Sequence, residues 1–536
     1  MPLRNDAMKH LLARLLLPLL HCAALALAGL AAGCASLPPP EAQAPEAAIP
    51  GSTATELGRV TAPFYADPGG LSAVRPFPQA AFALDARLEL IRRAQASIDV
   101  QTYQLGNDKT GRLLLRELRD AARRGVRVRL LLDDFYTVGL DPLLLALAAE
   151  PGAQVRLFNP FANGREHTAT RWLDFFTDFR RLNHRMHNKL FIADGAIAIA
   201  GGRNLADEYF LRSELANFID FELLMAGPVV PESARIFDSY WNSDVVYPVQ
   251  RVVHGAKPTV ELAAAFEAAT SEREAPRPEP PPATDVFGEP RLADQLARGE
   301  LRWMRADAHA LADSPNKALG TRPPGMRTLA QQFHATLGST AQSQVLVISP
   351  YFIPGDEGMA RIRAARARGI RITVVTNSLA DSDEPLVNVN YNRYRVAMLE
   401  EGVELREVST RQLKRSAQLR QLLRQARGRL HAKLALLDSE WVLLGSMNLD
   451  PRSERLNTEF GVKVHSFELA HALRFAYSLD SLEGVYRVEL QPDGRNVRWV
   501  GTGDESNEVL DDEPDSSILT RLQLLLFSWF VPTDQL

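Results

Sequence analysis

His187-Asn-Lys189-Leu-Phe-Ile-Ala-Asp194 is followed by Gly201-Gly202-Arg203-Asn204, and the pattern returns as His431-Ala-Lys433-Leu-Ala-Leu-Leu-Asp438 with Gly445-Ser446-Met447-Asn448. Both stretches read H-x-K-x4-D-x6-G-[GS]-x-N, and Asn lies 17 positions after His in each, from 187 to 204 and from 431 to 448. One short match can arise by chance in a chain of 536 residues; two with the same downstream spacing do not. The chain therefore reads as a duplication that brings two copies of one motif face to face.

Each copy sits on a β-hairpin. Asp194-Gly195 is a turn pair between the apolar runs 190–194 and 197–200, and Ser439-Glu440 separates 434–438 from 441–444. Residues two apart on a strand share a face, so His187 points with Lys189 and His431 with Lys433. Asp194 lies five residues beyond Lys189 and faces away in a regular strand; by the same count Asp438 faces away from Lys433. The two aspartates complete the candidate catalytic motif but are expected to support the hairpins. Asn204 and Asn448 return at the ends of the second strands, where they can rejoin His and Lys.

The repeat reaches beyond the motifs. Ser97-Ile-Asp-Val-Gln-Thr-Tyr103 reads as a strand, followed by a Leu-rich helix closing at Gly125 and a strand 126–132 ending in Asp133-Asp134. Val345-Leu-Val-Ile-Ser-Pro-Tyr351, a helix closing at Gly369, and a strand 370–375 ending in Thr376-Asn377-Ser378 repeat that order. A Gly after each helix fits a left-handed cap, and each strand–helix–strand unit implies a right-handed parallel crossover. Tyr103 precedes its motif His by 84 residues and Tyr351 by 80. The predicted fold class is α/β: two duplicated halves, each a mixed, partly parallel sheet flanked by helices, related by a pseudo-twofold with the active site between them.

Paired His, Lys and Asn residues converging on one point suit a phosphodiester. The lysines neutralise the non-bridging oxygens and the asparagines donate hydrogen bonds to them as charge builds on a five-coordinate phosphorus; Ser446 is a further candidate phosphate-binding group. One neutral imidazole can attack phosphorus while a protonated one gives its proton to the leaving oxygen. Each His then needs an acceptor on its other ring nitrogen, and Asp220 and Glu459 lie downstream in matching positions. A lone His on a strand is more often a packed residue than a catalytic one; the intact pair argues otherwise. No metal is expected, because Lys is a poor ligand and no Cys or second His stands at ligand spacing, His184 being surface or supporting. No cofactor is called for.

At these residues the chain resembles the phospholipase D superfamily, whose signature is a duplicated HxKxxxxD, and within it the bacterial cardiolipin synthases of the C type. Supporting segments are Asp99-Val-Gln-Thr-Tyr103, Gly125-Val-Arg-Val-Arg-Leu-Leu-Leu-Asp-Asp134, Val155-Arg-Leu-Phe-Asn-Pro-Phe161, Arg185-Met-His-Asn-Lys189, Thr376-Asn-Ser-Leu-Ala380 and Leu449-Asp-Pro-Arg-Ser453. The resemblance implies a metal-free, two-step transfer through a phosphohistidine, with His187 as nucleophile and His431 as the acid that then becomes the base. It further implies that a phosphatidyl group passes to phosphatidylglycerol from a second phospholipid such as phosphatidylethanolamine. Gly202 stands where the second copy has Ser446, a minor departure.

The rest of the chain fixes location. Residues 1–34 carry Arg4, Lys9 and Arg14, an apolar run 15–30 and then Ala-Ala-Gly33-Cys34, which reads as a signal peptide ending at a lipidated Cys34, an uncleaved anchor being the alternative. Both place the body in the bacterial cell envelope facing the periplasm, the outer membrane favoured by Ala35 and the inner membrane possible. Residues 35–60 read as a Pro/Ala-rich tether, 61–270 as the first domain, 271–296 as a Pro-rich linker, 297–500 as the second domain, and 501–536 as an acidic, solvated loop and an apolar C-terminal segment. Cys22 and Cys34 are the only cysteines, so the body has no disulfide. The net charge of −4 gives no reason to expect a nucleic-acid partner. Trp172, Phe175, Phe176 and Phe179, beside Arg180 and Arg181, form either a core helix face or a lip that enters the lipid interface. The competing functions are hydrolysis at the same site, as a phospholipase D or less plausibly a nuclease, and a non-enzymatic lipid-binding lipoprotein.

Overall fold

The computed structural model describes residues 37–39, 44–165, 167–253, 255, 257–476, 484–502 and 508–516. The leader with Cys34 and the apolar stretch 518–531 lie outside the described residues.

The duplication is written into one continuous sheet. Across the first half its strands run Ala153–Phe158, Arg127–Asp133, Ser97–Thr102, Leu190–Ala193, Ile197–Gly201, Glu222–Ala226 and Ser72–Phe77. Across the second they run Glu404–Val408, Arg371–Asn377, Gln344–Ile348, Leu434–Leu437, Trp441–Gly445, Phe460–His465 and Met304–Ala312. In each half the first three strands are parallel and the motif hairpin and its neighbours antiparallel. Ser72–Phe77 pairs antiparallel with its counterpart Met304–Ala312, the relation a twofold axis imposes, and the half-sheets fuse there.

The helices follow the sequence signals. Lys109–Arg123 crosses between the first two parallel strands and Gly355–Ala367 between their counterparts. Gly125 at φ 93° and Gly369 at φ 81° close these crossings in a conformation open mainly to glycine. The strands buried on both faces are runs of Val, Ile and Leu, such as Val128, Leu130 and Leu132 against Ile98 and Val100.

Strand pairing corrects the register in which the halves match. Ile98 pairs with Ala193 and Val345 with Leu437, the residues just before Asp194 and Asp438. Ile98 thus corresponds to Val345, and Tyr351 to Gln104 rather than to Tyr103. Neighbouring residues on extended chain face opposite ways, so the two tyrosines are not counterparts.

Three outer segments are bound more tightly than their composition predicts. Residues 44–51, expected as free tether, are strapped to the first half: Glu46 and Ala48 N–H donate to Asn242 Oδ1 and Asp238 Oδ2 at 2.9 and 2.8 Å, and Arg156 donates to Glu46 at 2.7 Å. The strap crosses the first hairpin turn at Gly195, where a Cβ would come within 2.2 Å of Ile49 O, and a helix, Glu56–Tyr65, begins inside the expected tether. The Pro-rich linker is pinned by Arg75 to Asp285 at 2.7 Å and buries Ala275. The acidic run is not simply solvated either: Glu508 accepts from Arg415 at 2.9 Å and Glu513 from the buried Arg395 at 2.7 Å.

Candidate active site

Each motif histidine is set by a polar residue at the end of a parallel strand. Asp133 accepts from Met186 N–H at 2.8 Å and from Arg185 Nη2 at 2.6 Å, fixing the chain entering His187. Its counterpart Asn377 donates to Leu430 O at 2.9 Å and accepts from Leu430 N–H at 2.8 Å, fixing the chain entering His431. Neutral Asn does in one half what the ion pair does in the other.

Backbone pairing between the halves then decides which acid meets which histidine. Ala216–Ile219 runs parallel to Arg427–Leu430, and Met186 forms a parallel bridge with Thr458. His431 N–H donates to Ile219 O at 2.8 Å and His187 N–H to Thr458 O at 2.9 Å. The next residues are Asp220 and Glu459, so each acid backs the histidine of the other half. His187 Nδ1–H donates to Glu459 Oε2 at 3.0 Å and His431 Nδ1–H to Asp220 Oδ2 at 2.6 Å. That arrangement commits Nδ1 of each ring to an acid and leaves Nε2 as its other nitrogen.

All six groups are buried. Lys189 Nζ donates to His187 O at 2.7 Å and lies 5.3 Å from the Tyr103 ring centroid. Lys433 Nζ donates to His431 O at 2.6 Å and stands 3.0 Å from His431 Nε2. His and Lys share a face, as the alternation requires. Burial, and then the charge of Lys433, hold the Lys189 ammonium well below the ordinary lysine range; burial brings Lys433 to about 8. A bound anion would raise both.

The histidine–acid pairs balance differently at their two ends. Burial dominates at His187 and, with Lys189, outweighs the pull of Glu459, bringing it down to about 4. Burial and Lys433 lower His431 in the same direction. At the carboxylates burial pushes up, but their histidines and the lysines prevail, holding Asp220 and Glu459 at about 2. The pocket therefore holds two anionic acids behind two imidazoles disposed to be neutral.

The other sequence candidates divide. Asp194 and Asp438, both at positive φ, leave the catalytic set: Asp194 accepts from the N–H groups of Gln95, Ala96 and Ser97, and Asp438 from those of Gln342, Ser343 and Gln344. They tie each hairpin turn to the first strand of its half, as strand alternation implies. Ser446 is not a phosphate ligand in this geometry, because its hydroxyl donates to Glu459 and accepts from Phe460 N–H at 3.0 Å. The Gly202 difference belongs with it: a Cβ there would stand 2.1 Å from Asp220 Oδ1. Gly202 with Asp220 and Ser446 with Glu459 are matched pairs. Asn204 is engaged on both sides, accepting from Gln104 N–H at 3.3 Å and donating to Tyr209 OH at 2.8 Å. Asn448 is buried, and its Oδ1 has no partner. His184 is supporting, with Nδ1 bonded to Leu456 O at 3.1 Å.

Sequence reasoning missed the aromatic walls. Tyr103 meets His187 edge-on at 5.0 Å between centroids, while Tyr209 and Phe218 flank His431 at 5.1 and 4.8 Å. From Tyr103 the rings continue through Tyr136, Phe135 and Trp172 to Phe176 on the Thr168–Thr177 helix. Phe175 is buried there, whereas Trp172, Leu173 and Phe176 are 47%, 66% and 69% exposed. The helix is partly core and partly an apolar lip. No helix among the described residues is long and apolar enough to cross a membrane.

The chain is similar to known proteins along most of its length. A family model described as cardiolipin synthase, phospholipase D-like domain, matches residues 88–241 and 336–477. Cardiolipin synthase C of Escherichia coli K12 is 34% identical over 478 residues, covering 88% of this chain and 98% of that protein. An uncharacterised protein of Helicobacter pylori 26695 is 32% identical over 451 residues, 82% of this chain and 85% of its own. The crystal structure of a phosphatidylserine synthase from Haemophilus influenzae superposes with a TM-score of 0.54 at 15% identity, over 89% of this chain and 98% of that one, a likeness of fold.

Proposed function

Because the chain belongs to the phospholipase D-like cardiolipin synthase family, as a phosphatidyltransferase of that superfamily, we propose that it makes cardiolipin at a membrane from phosphatidylglycerol and a second phospholipid, through a covalent phosphohistidine. The observation that carries this reading is the crossed pairing, His187 on Glu459 and His431 on Asp220.

In the first step the Nε2 lone pair of neutral His187 attacks phosphorus while Glu459 holds its Nδ1–H and takes up the positive charge that develops on the ring. The bond from phosphorus to the headgroup oxygen breaks, and His431 Nε2–H gives that oxygen its proton. His431 must be protonated beforehand; the negative phosphodiester favours this as it enters, with Asp220 behind the ring. In the second step a glycerol hydroxyl of phosphatidylglycerol gives its proton to His431 and its oxygen displaces His187 from phosphorus. Lys189 and Lys433 face the non-bridging oxygens throughout, with Asn448 as the uncommitted amide. No metal enters any step.

The exposed edge of the Thr168–Thr177 helix supports contact with a lipid interface. We assign the domains as in the sequence reading, with the tether and linker docked on the first half, and Cys34 as the lipid anchor of an envelope protein. Mass spectrometry of products from purified full-length protein, phosphatidylglycerol and phosphatidylethanolamine, with chelator present, tests the reading. Cardiolipin is expected; phosphatidic acid alone, or loss of activity to the chelator, overturns it.

A further inference from the structure

The two halves also differ away from the histidines. In the first half the Ala80–Arg93 and Lys109–Arg123 helices pack directly on one another, with Ile91 and Leu114 buried between them. Their counterparts, Leu329–Thr340 and Gly355–Ala367, stand apart around an open groove of about 410 Å³. In the register fixed by strand pairing, Gly338 replaces Ile91, Gly358 replaces Leu114 and His334 replaces Arg87. A glycine inside a helix is destabilising, and a Cβ on Gly338 would meet nothing within 4 Å. The second half keeps a space that its own duplicate fills.

The groove has the polarity of an amphiphile. Its walls are mostly apolar, with Leu337, Val347, Phe352, Ile362 and Ile372 among them, and His334, Arg361, Arg368 and Glu454 complete the lining. Its buried polar lining is Asn448 and Asp450, Asn448 being 6% exposed with Oδ1 unpartnered. These residues sit beside the reaction centre along the chain: Ser446, two positions before Asn448, donates its hydroxyl to Glu459, which accepts from His187. The volume is of the size of small-molecule sites, on the order of 300–1,000 Å³.

We propose that the groove between Leu329–Thr340 and Gly355–Ala367, opening on Asn448, binds one fatty acyl chain of a phospholipid whose phosphate lies at the two histidines. The inference rests on the phosphatidyltransferase reading. A lipid phosphate at the histidines has its acyl chains attached a few atoms away, and this groove is an apolar surface that begins at Asn448. It selects for chain length without touching the reacting atoms.

Gly338→Leu, which restores bulk of the kind the first half carries, tests it, with Ala365→Leu filling the groove from the opposite helix. Full-length variants are compared on long-chain phosphatidylglycerol with phosphatidylethanolamine, on the dihexanoyl forms of the same lipids, and on bis(p-nitrophenyl) phosphate. Expected are a tenfold or greater loss on long-chain lipids, activity within twofold of wild type on the dihexanoyl lipids and the aryl diester, and an unchanged or higher melting temperature for Gly338→Leu. Equal activity of both variants on long chains overturns the proposal. So does a uniform loss on all substrates with a lower melting temperature, the result expected if the chain's own apolar stretch 518–531 fills the groove. If wild-type protein turns over the aryl diester but no phospholipid, the phosphatidyltransferase reading has failed, whatever the variants do.

Discussion

Glu459→Gln and Asp220→Asn remove one charge each, yet the crossed geometry predicts failures at different steps. Glu459 is held from an ordinary 4.5 to about 2 despite complete burial. At about 1.4 kcal/mol per pH unit, that is roughly 3 kcal/mol of preference for the carboxylate over its neutral form. The carboxylate faces the nitrogen that becomes cationic as His187 bonds to phosphorus. A neutral amide forfeits most of that stabilisation in the transition state, a loss on the order of 10²-fold in rate. The assay is a pre-steady-state burst with a p-nitrophenyl phosphodiester, whose leaving group departs without a proton. Wild-type protein releases one equivalent of nitrophenolate rapidly and then turns over. Glu459→Gln loses the burst, because the attack itself is slowed. Asp220→Asn keeps it and stalls afterwards, because His431 is needed as a base only for the second displacement. The reverse pattern, or a burst rate for Glu459→Gln within about threefold of wild type, would refute the reasoning.

Other consequences are as specific. Gly202→Ser merely copies the second motif into the first, but drives a Cβ to 2.1 Å from the Asp220 carboxylate; kcat should fall more than tenfold, whereas Ser446→Gly, which removes one hydroxyl from Glu459 and from Phe460 N–H, should cost several-fold. Asp194→Ala strands the N–H groups of Gln95, Ala96 and Ser97, so thermal or urea unfolding should show a loss of about 2–4 kcal/mol while kcat of the folded protein in the cold stays within about threefold; a large kcat defect at full stability would return Asp194 to the catalytic set. His187 stays neutral in the folded protein down to about pH 4 but takes a proton near 6.5 when unfolded. The unfolded chain thus binds the extra proton between those values, and stability should fall as pH drops from 6.5 to 4, by up to about 3 kcal/mol from this residue. Denaturant titrations of wild type and His187→Asn across that window should show a shallower slope for the variant.

The motifs were legible because their signal is local. Hairpin turns and strand alternation place His and Lys on one face and turn Asp194 and Asp438 away, and the structure agrees on both. Asp220 and Glu459 could be named as partners, but not matched to their histidines, because the match is made by parallel pairing of chain segments some 200 residues apart. Ser446 looked like a ligand because it stands beside Asn448; only the packed structure shows its hydroxyl turned to Glu459. Tyr103 and Tyr351 misled by resemblance of type, since a single residue of slip changes which face a strand residue occupies. The strapped tether and the paired acidic run were missed for a common reason: Pro and carboxylate composition predicts solvation, and their partners, such as Arg156 and Arg395, lie far away in sequence. The groove beside Gly338 is visible only when the two halves are laid over each other in the corrected register.

The docked N-terminal segment changes what a lipid on Cys34 would do. Leu37 already packs against the first-half core, and Pro39 O accepts from Arg251 at 3.2 Å. Three residues of chain span at most about 10 Å, so an acylated Cys34 would moor the body rather than leash it. An enzyme so berthed cannot roam or reach across to a facing bilayer. Its lipids would arrive by lateral diffusion within the leaflet that holds it, and its working concentration would be counted per area of membrane, not per volume.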